Sequence, residues 1–268
     1  MLEKTITFLG CGSWGAALGA ILAEKGIFVR YWHRNESAIN EMQSSRKHYL
    51  LNDIDFNENI SFFPEIESAV NQANVVVLAV PSQHIRAVIT KAKKHIDPSA
   101  IIINIAKGIE NKTLKIMSEV IFEVNGSISN YVTLSGPSHA EEVVSNMPTA
   151  VVAASKNIET SKIVQGLFST NKFRVYTNED LIGVEICGSA KNVIAIAAGF
   201  CDGFGYGDNT KSALMTRGIK EIARLGLKSG AKFETFFGLA GIGDIIVTCG
   251  SIHSRNRKLG ERIGRGMT

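Results

Sequence analysis

The chain has 268 residues, 45% hydrophobic and 20% charged, enough to bury one large core or two modest ones and too apolar to be disordered. Its net charge is +4, and its four cysteines (Cys11, Cys187, Cys201, Cys249) are widely spaced without a C-x-x-C pair, which argues against a disulfide framework and fits reduced thiols in a cytosolic, cytoplasmic protein. The opening MLEKTITFLGCG is unlike a signal peptide, no later stretch approaches the roughly 18 apolar residues that span a bilayer, and the six histidines show no ligand spacing, so neither a transmembrane segment nor a metal is expected.

From residue 5 to about 178 the sequence alternates β-branched runs with amphipathic segments, the arrangement of a parallel sheet with crossover helices. Strands are predicted at TITFLG (5–10), IFVRYWH (27–33), NVVVLAV (74–80), AIIINIA (100–106), YVTLSG (131–136) and TAVVAAS (149–155). Several are apolar on both faces, which calls for helices on both sides of the sheet. All five prolines fall in this half, near predicted element ends.

The first strand runs into Gly10-x-Gly12-x-x-Gly15, with Ser13 and Trp14 between the last two glycines. That spacing, after a strand and before a helix, suits a dinucleotide. Gly10 makes the tight turn, Gly12 admits the pyrophosphate and Gly15 lets helix and sheet pack closely, with the phosphates at the positive helix end. The second strand ends at His33 and Arg34, where an NAD-selective fold carries an acid for the ribose hydroxyls. The missing acid and the guanidinium favour a 2′-phosphate, hence NADP(H), with NAD(H) as a second cofactor; the plainer reading is a solvated arginine.

Farther on, Lys107 and Gly108 follow a buried strand in IIINIAKGIE, at the edge where ligands of open α/β sheets bind, although a solvated strand end explains the lysine equally well. LSGPSHAEEV reads as strand, turn and helix, with Gly136 in the turn and Ser138 three residues before Glu141. This capping-box spacing accounts for the serine structurally, while the same helix start offers free N–H groups to a ligand.

After about residue 180 there is no proline, 16 of the 25 glycines occur, and Ala, Leu and Ile recur at helical spacing, predicting helices separated by glycine-containing turns. The expected fold class is α/β, with a Rossmann-like dinucleotide-binding domain over 1–180 followed by a mainly α-helical domain over 181–268. The segment 179–199 is apolar nearly all round yet holds Lys191. Its amine either snorkels to water or is buried as a proton carrier, and periodicity does not separate the two. Beyond it stand Asp244 in GLAGIGDIIVTC and Ser254, Arg255 and Asn256 in HSRNRKLG. Residues 251–268 carry five Lys and Arg against one Glu, while the first 250 balance, so the positive excess is one patch, either a solvated helix face or an anion site. The fork of Arg255 matches phosphate oxygens. No aromatic residues interleave with these charges, so nucleic acid is not an expected partner.

Taken in order, GCGSWGAALG, NIAKGIE, LSGPSHAEEV, ICGSAKNVIAIAAG, LAGIGDIIVTC and SRNRKLG closely resemble the bacterial-type NAD(P)-dependent glycerol-3-phosphate dehydrogenases across nearly the whole chain. The resemblance implies a dinucleotide-binding domain followed by a helical one. It implies an oxidoreductase interconverting sn-glycerol 3-phosphate and dihydroxyacetone phosphate by hydride transfer with NAD(P)(H), supplying glycerol 3-phosphate for phospholipid synthesis, and it leaves a homodimer open. It matches Ser13, Trp14, His33, Arg34 and Ala140 to cofactor contacts and Lys107 to a position shared by cofactor and substrate. Gly136, Ser138, Asp244, Ser254, Arg255 and Asn256 match substrate positions, Arg255 also touching the cofactor, and Lys191 matches the proton acceptor. Were Asp244 close to Lys191, it would raise the lysine pKa against desolvation. Family members continue past the SRNRKLG helix, whereas this sequence ends at Thr268, so terminal helices and a late glutamate at the cofactor are expected to be missing. YLLNDIDFNEN lacks the proline and glycine of the family's loop, at no predicted site. Two other readings stand beside this one: a two-domain β-hydroxyacid or keto-acid reductase whose basic patch serves a carboxylate, and a non-catalytic NADPH-binding sensor.

Overall fold

The structure, a computed structural model, describes residues 4–51 and 54–267; two residues of the YLLNDIDFNEN loop, Asn52 and Asp53, and the terminal Thr268 lie outside the described residues. In chain order the elements are β1 (Thr5–Leu9), α1 (Ser13–Glu24), β2 (Phe28–Trp32), α2 (Glu36–Ser45), β3 (Ile60–Phe63), α3 (Ile66–Val70), β4 (Val75–Leu78), α4 (Ile85–Ala92), β5 (Ile101–Asn104), α5 (Met117–Asn125), β6 (Tyr131–Ser135), α6 (Ala140–Val144), β7 (Thr149–Ala154), α7 (Ile158–Phe168) and β8 (Phe173–Asn178). Four α-helices follow, the first two the longest of the fold: α8 (Leu181–Phe204), α9 (Asp208–Lys228), α10 (Asp244–Gly250) and α11 (Arg255–Gly264).

All six predicted strands form, in one eight-stranded sheet of order β3-β2-β1-β4-β5-β6-β7-β8. The apolar-on-both-faces strands divide their side chains between two cores. In β4, Val75 and Val77 enter one cluster with Ile6, Phe8, Leu18 and Tyr31, while Val76 and Leu78 enter the other with Leu9, Ile66, Ile85 and Val184. Alternating residues of a strand point to opposite faces, so helices must cover both. A third cluster, built on Ile186, Ala195, Ala198, Ile219, Ile222 and Phe236, holds the helical half together.

Two strands were not expected: β3, only four residues long, and β8, whose alternate residues and C-terminal end are exposed or half-buried at the sheet edge. The sheet is also not wholly parallel. β6 pairs antiparallel with β7, Leu134 opposite Ala153, and β8 then runs parallel to β7. The reason lies in the connection. The only helix between β6 and β7 is α6, with five residues, and at 1.5 Å per residue it covers about 7.5 Å, half of the roughly 16 Å that a parallel return along β6 would need.

The reversal delivers the chain to the edge opposite the β1–α1 turn, where Asp180 caps α8. Its carboxylate accepts hydrogen bonds from Gly183 N (2.9 Å), Lys232 N (2.8 Å) and Thr235 Oγ1 (2.6 Å). From there α8 climbs along β6. Glu185 lies beside Tyr131 and Thr133 at the start and middle of the strand, and Gly188 faces Ser135 at its end.

By length and composition α8 could cross a membrane, contrary to the expectation that no segment comes close. Over half of its most apolar window is nevertheless buried inside the fold, as for the core helix of a globular domain. The glycines of this half are also more than turn residues. Gly199 and Gly203 in α8 meet Gly260 and Gly264 in α11 so closely that a Cβ at Gly199 would sit 1.9 Å from the Arg257 carbonyl oxygen, and one at Gly260 1.9 Å from that of Ile196. Glycine is used here because two backbones touch.

Candidate active site

The β1–α1 turn is built as its glycines predict. Gly10 has φ +115°, and a Cβ there would lie 2.5 Å from the Ala79 carbonyl oxygen; at Gly15 it would press on the Ala79 side chain at 3.0 Å. A Cβ at Gly12 would meet nothing within 4 Å, and no side chain caps α1. The first N–H groups of α1 therefore face open space, which fits a pyrophosphate. Trp14, on the first turn of α1, lies 6.2 Å from the Phe173 ring and keeps its Nε1 buried with no protein partner. At the end of β2, His33 is half-buried and Arg34 is exposed, with no ion pair among the described residues. His33 lies 6.0 Å from the Tyr49 ring. Open turn, unpartnered indole and free guanidinium are together consistent with a dinucleotide carrying a 2′-phosphate.

Across the sheet's carboxyl edge three elements converge on one carboxylate. Lys191, ten residues into α8, is 6% exposed and does not snorkel. Its Nζ donates to Asp244 Oδ1 and to Thr248 Oγ1 (2.7 Å). Lys107, from the loop after β5, donates to the other Asp244 oxygen, Oδ2, at 2.6 Å and to the Gly136 carbonyl at 3.0 Å. Asp244, 1% exposed at the start of α10, therefore holds one lysine from each half of the chain. Gly136 has φ +143°, open to glycine and strained for other residues, and Ser138 donates to its carbonyl (3.0 Å). Ser138 does not cap α6; His139 occupies the N-cap position, and the capping box expected from Ser138 and Glu141 is not formed. Ala140 opens α6 and is buried.

The predicted phosphate residues stand at the start of α11. Ser254 is its N-cap and accepts from Arg257 N (3.2 Å), Arg255 is exposed, and Asn256 is half-buried. None of the three is hydrogen-bonded to the lysine cluster among the described residues, but the rings of His139 and His253 approach to 5.8 Å. The N-terminal ends of α6 and α11 are thereby brought side by side. Arg257, in the same basic stretch, is instead a structural cation, paired with Asp202 of α8 (2.6 Å).

Burial, with help from the neighbouring Lys107 ammonium, pulls the Lys191 amine well below the usual lysine value, and the Asp244 carboxylate opposes this without reversing it. The expected raising by Asp244 is present but loses, because the amine is almost wholly removed from water.

Models of the NAD-dependent glycerol-3-phosphate dehydrogenase N-terminus and C-terminus match residues 5–161 and 180–268. A protein of Clostridium perfringens named glycerol-3-phosphate dehydrogenase, NAD(P)+, is 52% identical over 266 residues, covering 98% of this chain and 80% of the relative. This chain belongs to the NAD-dependent glycerol-3-phosphate dehydrogenase family. Within the family, the crystal structure of the Coxiella burnetii glycerol-3-phosphate dehydrogenase superimposes with a TM-score of 0.95 at 39% identity over 99% of this chain and 81% of that one. The Saccharomyces cerevisiae glycerol-3-phosphate dehydrogenase gives 0.84 at 27% identity, over 98% and 81%.

Two polar residues of this family member, one in the cluster and one on the helix that carries Lys191, escaped the sequence reading. Thr248 lies one turn after Asp244, accepts from Lys191, and donates to the Asp244 carbonyl at 2.5 Å; an isolated threonine in an apolar run carries no signal beyond its spacing. Glu185 lies inside the apolar run of α8, where its six-residue separation from Lys191 gives no hint of its partners.

Proposed function

We propose that this protein interconverts sn-glycerol 3-phosphate and dihydroxyacetone phosphate with NADP(H) or NAD(H), and that its product serves phospholipid synthesis in the cytoplasm. The observation that carries the reading is the Lys107–Asp244–Lys191 cluster at the sheet edge next to an open dinucleotide turn. Residues 1–180 hold the cofactor through Gly10, Gly12, Ser13, Trp14, Gly15, His33, Arg34, Lys107 and Ala140, with Arg255 reaching it from the helical half. Residues 181–268 bring the proton carrier and, with Gly136 and Ser138, the substrate contacts. The four buried free thiols support a reducing compartment.

The nicotinamide, when bound, accepts or supplies the hydride at C2 of the substrate. Lys191 handles the proton: its ammonium gives a proton to the C2 oxygen in the reductive direction, and the neutral amine takes it back in oxidation. A lowered lysine pKa makes both forms accessible near neutral pH. Thr248 and Asp244 fix the direction of Nζ. When Lys191 is neutral, Lys107 still pairs with Asp244 Oδ2, so the buried carboxylate is not left without a cation. Ser254, Arg255 and Asn256, at the positive end of α11, hold the phosphate.

The 52% identity to a named glycerol-3-phosphate dehydrogenase favours a triose phosphate over a keto acid. Oxidation of NADPH and of NADH should be followed with dihydroxyacetone phosphate and, separately, with 2- and 3-keto acids. Turnover with the triose phosphate alone is expected, faster with NADPH. Turnover confined to a keto acid, or cofactor binding without any turnover, would overturn the reading.

A further inference from the structure

We propose that Glu185 is the positioning residue that sets the spacing between Lys107 and Lys191; this rests on the reading of those two lysines given above. Glu185 lies on α8 six residues before Lys191 and is 5% exposed. It has no ion-pair partner among the described residues. A lone buried carboxylate is costly unless it is fully hydrogen-bonded, and this one accepts from four donors. Oε2 takes Ser118 N (3.0 Å) and Ser118 Oγ (2.7 Å) from α5, and Oε1 takes Tyr131 OH (2.6 Å) and Thr133 Oγ1 (2.6 Å) from β6. Every donor comes from the dinucleotide-binding half, while the acceptor rides on the helix that carries Lys191. The carboxylate thus fixes both the height of α8 along β6 and its rotation.

The same residue grips the other lysine through its main chain. The Glu185 carbonyl accepts from Ser189 Oγ (2.7 Å), and that hydroxyl accepts from Gly108 N (3.1 Å), the residue following Lys107. Between the two grips, Gly188 leaves room for the Lys107 stem, whose Cγ would lie 3.5 Å from a Cβ there. The loop of Lys107 and the helix of Lys191 are therefore registered against each other within about one turn of α8, and the two ammonium groups meet opposite oxygens of Asp244. Loosening this registration moves both lysines relative to one carboxylate. Burial raises the Glu185 carboxyl above its usual value, as it should for a carboxylate with no cation beside it.

The test compares Glu185→Gln and Glu185→Ala in the whole chain. Gln retains the shape and an acceptor for Ser118, so it should rescue part of what Ala loses. With NADPH and dihydroxyacetone phosphate, kcat should fall about tenfold to a hundredfold in Glu185→Ala and less in Glu185→Gln, the loss typical of a misplaced catalytic group. The Kd for NADPH should change far less than kcat, because Lys107 is one cofactor contact among many and the β1–α1 turn is untouched. Independently of turnover, NMR titration of the Lys191 side chain should show its pKa moving back toward the ordinary lysine value in the order wild type, Gln, Ala. Folded variants with wild-type kcat and wild-type Lys191 titration would overturn the proposal. If Glu185→Ala does not fold, Glu185→Gln decides alone. If the wild type turns over no triose phosphate, the proposed function fails, and the titration still decides the role of Glu185.

Discussion

At Lys191 two opposing influences act on one proton. Burial and Lys107 favour the neutral amine, and Asp244 favours the ammonium. Lys191→Ala should reduce turnover by about a hundredfold or more, the contribution usual for a positioned acid or base, while NADPH binding measured by fluorescence stays intact. Asp244→Asn removes the influence that raises the amine, so its pKa falls further. With Lys191 in its proposed role, reduction requires the ammonium, so the rate should decline as pH rises through the Lys191 value, and in Asp244→Asn that decline should occur at lower pH. A profile moved to higher pH would contradict the assignment. The sequence places Lys191 in an apolar helix, which suits a snorkelling amine as well as a buried one. What decides between them is Asp244, 53 residues away, and no local pattern reveals such a contact. Gly10, Gly12 and Gly15 were legible because their spacing between a strand and a helix is a local signature, although the surface that crowds Gly10 and Gly15 is Ala79, just past the end of β4.

Between elements, the contact of α8 with α11 depends on having no side chain at Gly199, Gly203, Gly260 and Gly264. Gly260→Ala forces the two backbones apart and should destabilise the protein by about 1–3 kcal/mol, the range for overpacking a tight contact. Gly166 in α7 is the control, since a Cβ there meets nothing within 4 Å; Gly166→Ala should be neutral or stabilise by up to about 1 kcal/mol through helix propensity and a less flexible unfolded chain. Urea unfolding midpoints measure both, and equal effects at the two positions would refute the close-packing account. Composition announced these glycines but not their use, because a glycine ending a helix and one inside a helix crossing look alike until the partner is known. The apolar strands β1, β4, β5, β6 and β7 were legible from their burial on both faces. β3 and β8 were not, being short or half-exposed at the sheet margins, and the direction of β7 depended on how far α6 reaches.

For the whole molecule, buried charge ties stability to pH. Lys191 has a folded pKa below its unfolded value, so unfolding takes up a proton between the two. Stability therefore rises with pH through that window and is lost as pH falls through the folded value. Glu185 has the opposite sign: its raised carboxyl favours the fold below the ordinary carboxyl range, and that contribution is lost as pH rises through the raised value. Urea unfolding from about pH 7 to about pH 10 should show stability increasing in the wild type and a flatter curve in Lys191→Met, since the proton uptake is gone. Equal slopes would show that Lys191 does not titrate abnormally. The two-part organisation was visible as a change of texture near residue 180, because sheet and helix differ in every residue's preferences. The relation between the parts was not, since it runs through side chains such as Asp180, Glu185 and Asp244 that reach across the boundary.

The reversal at β7 makes α8 a length standard. The chain is returned to the far edge of the sheet, and from its capped start the helix takes ten residues, about 15 Å at 1.5 Å per residue, to reach Lys191, nearly the length of the five-residue β6 beside it. One added residue inside that interval would lift the amine by about 1.5 Å and swing it through about 100°, away from Asp244. Chain length can therefore drift in the loops outside α8, but between Asp180 and Lys191 the count itself is under constraint.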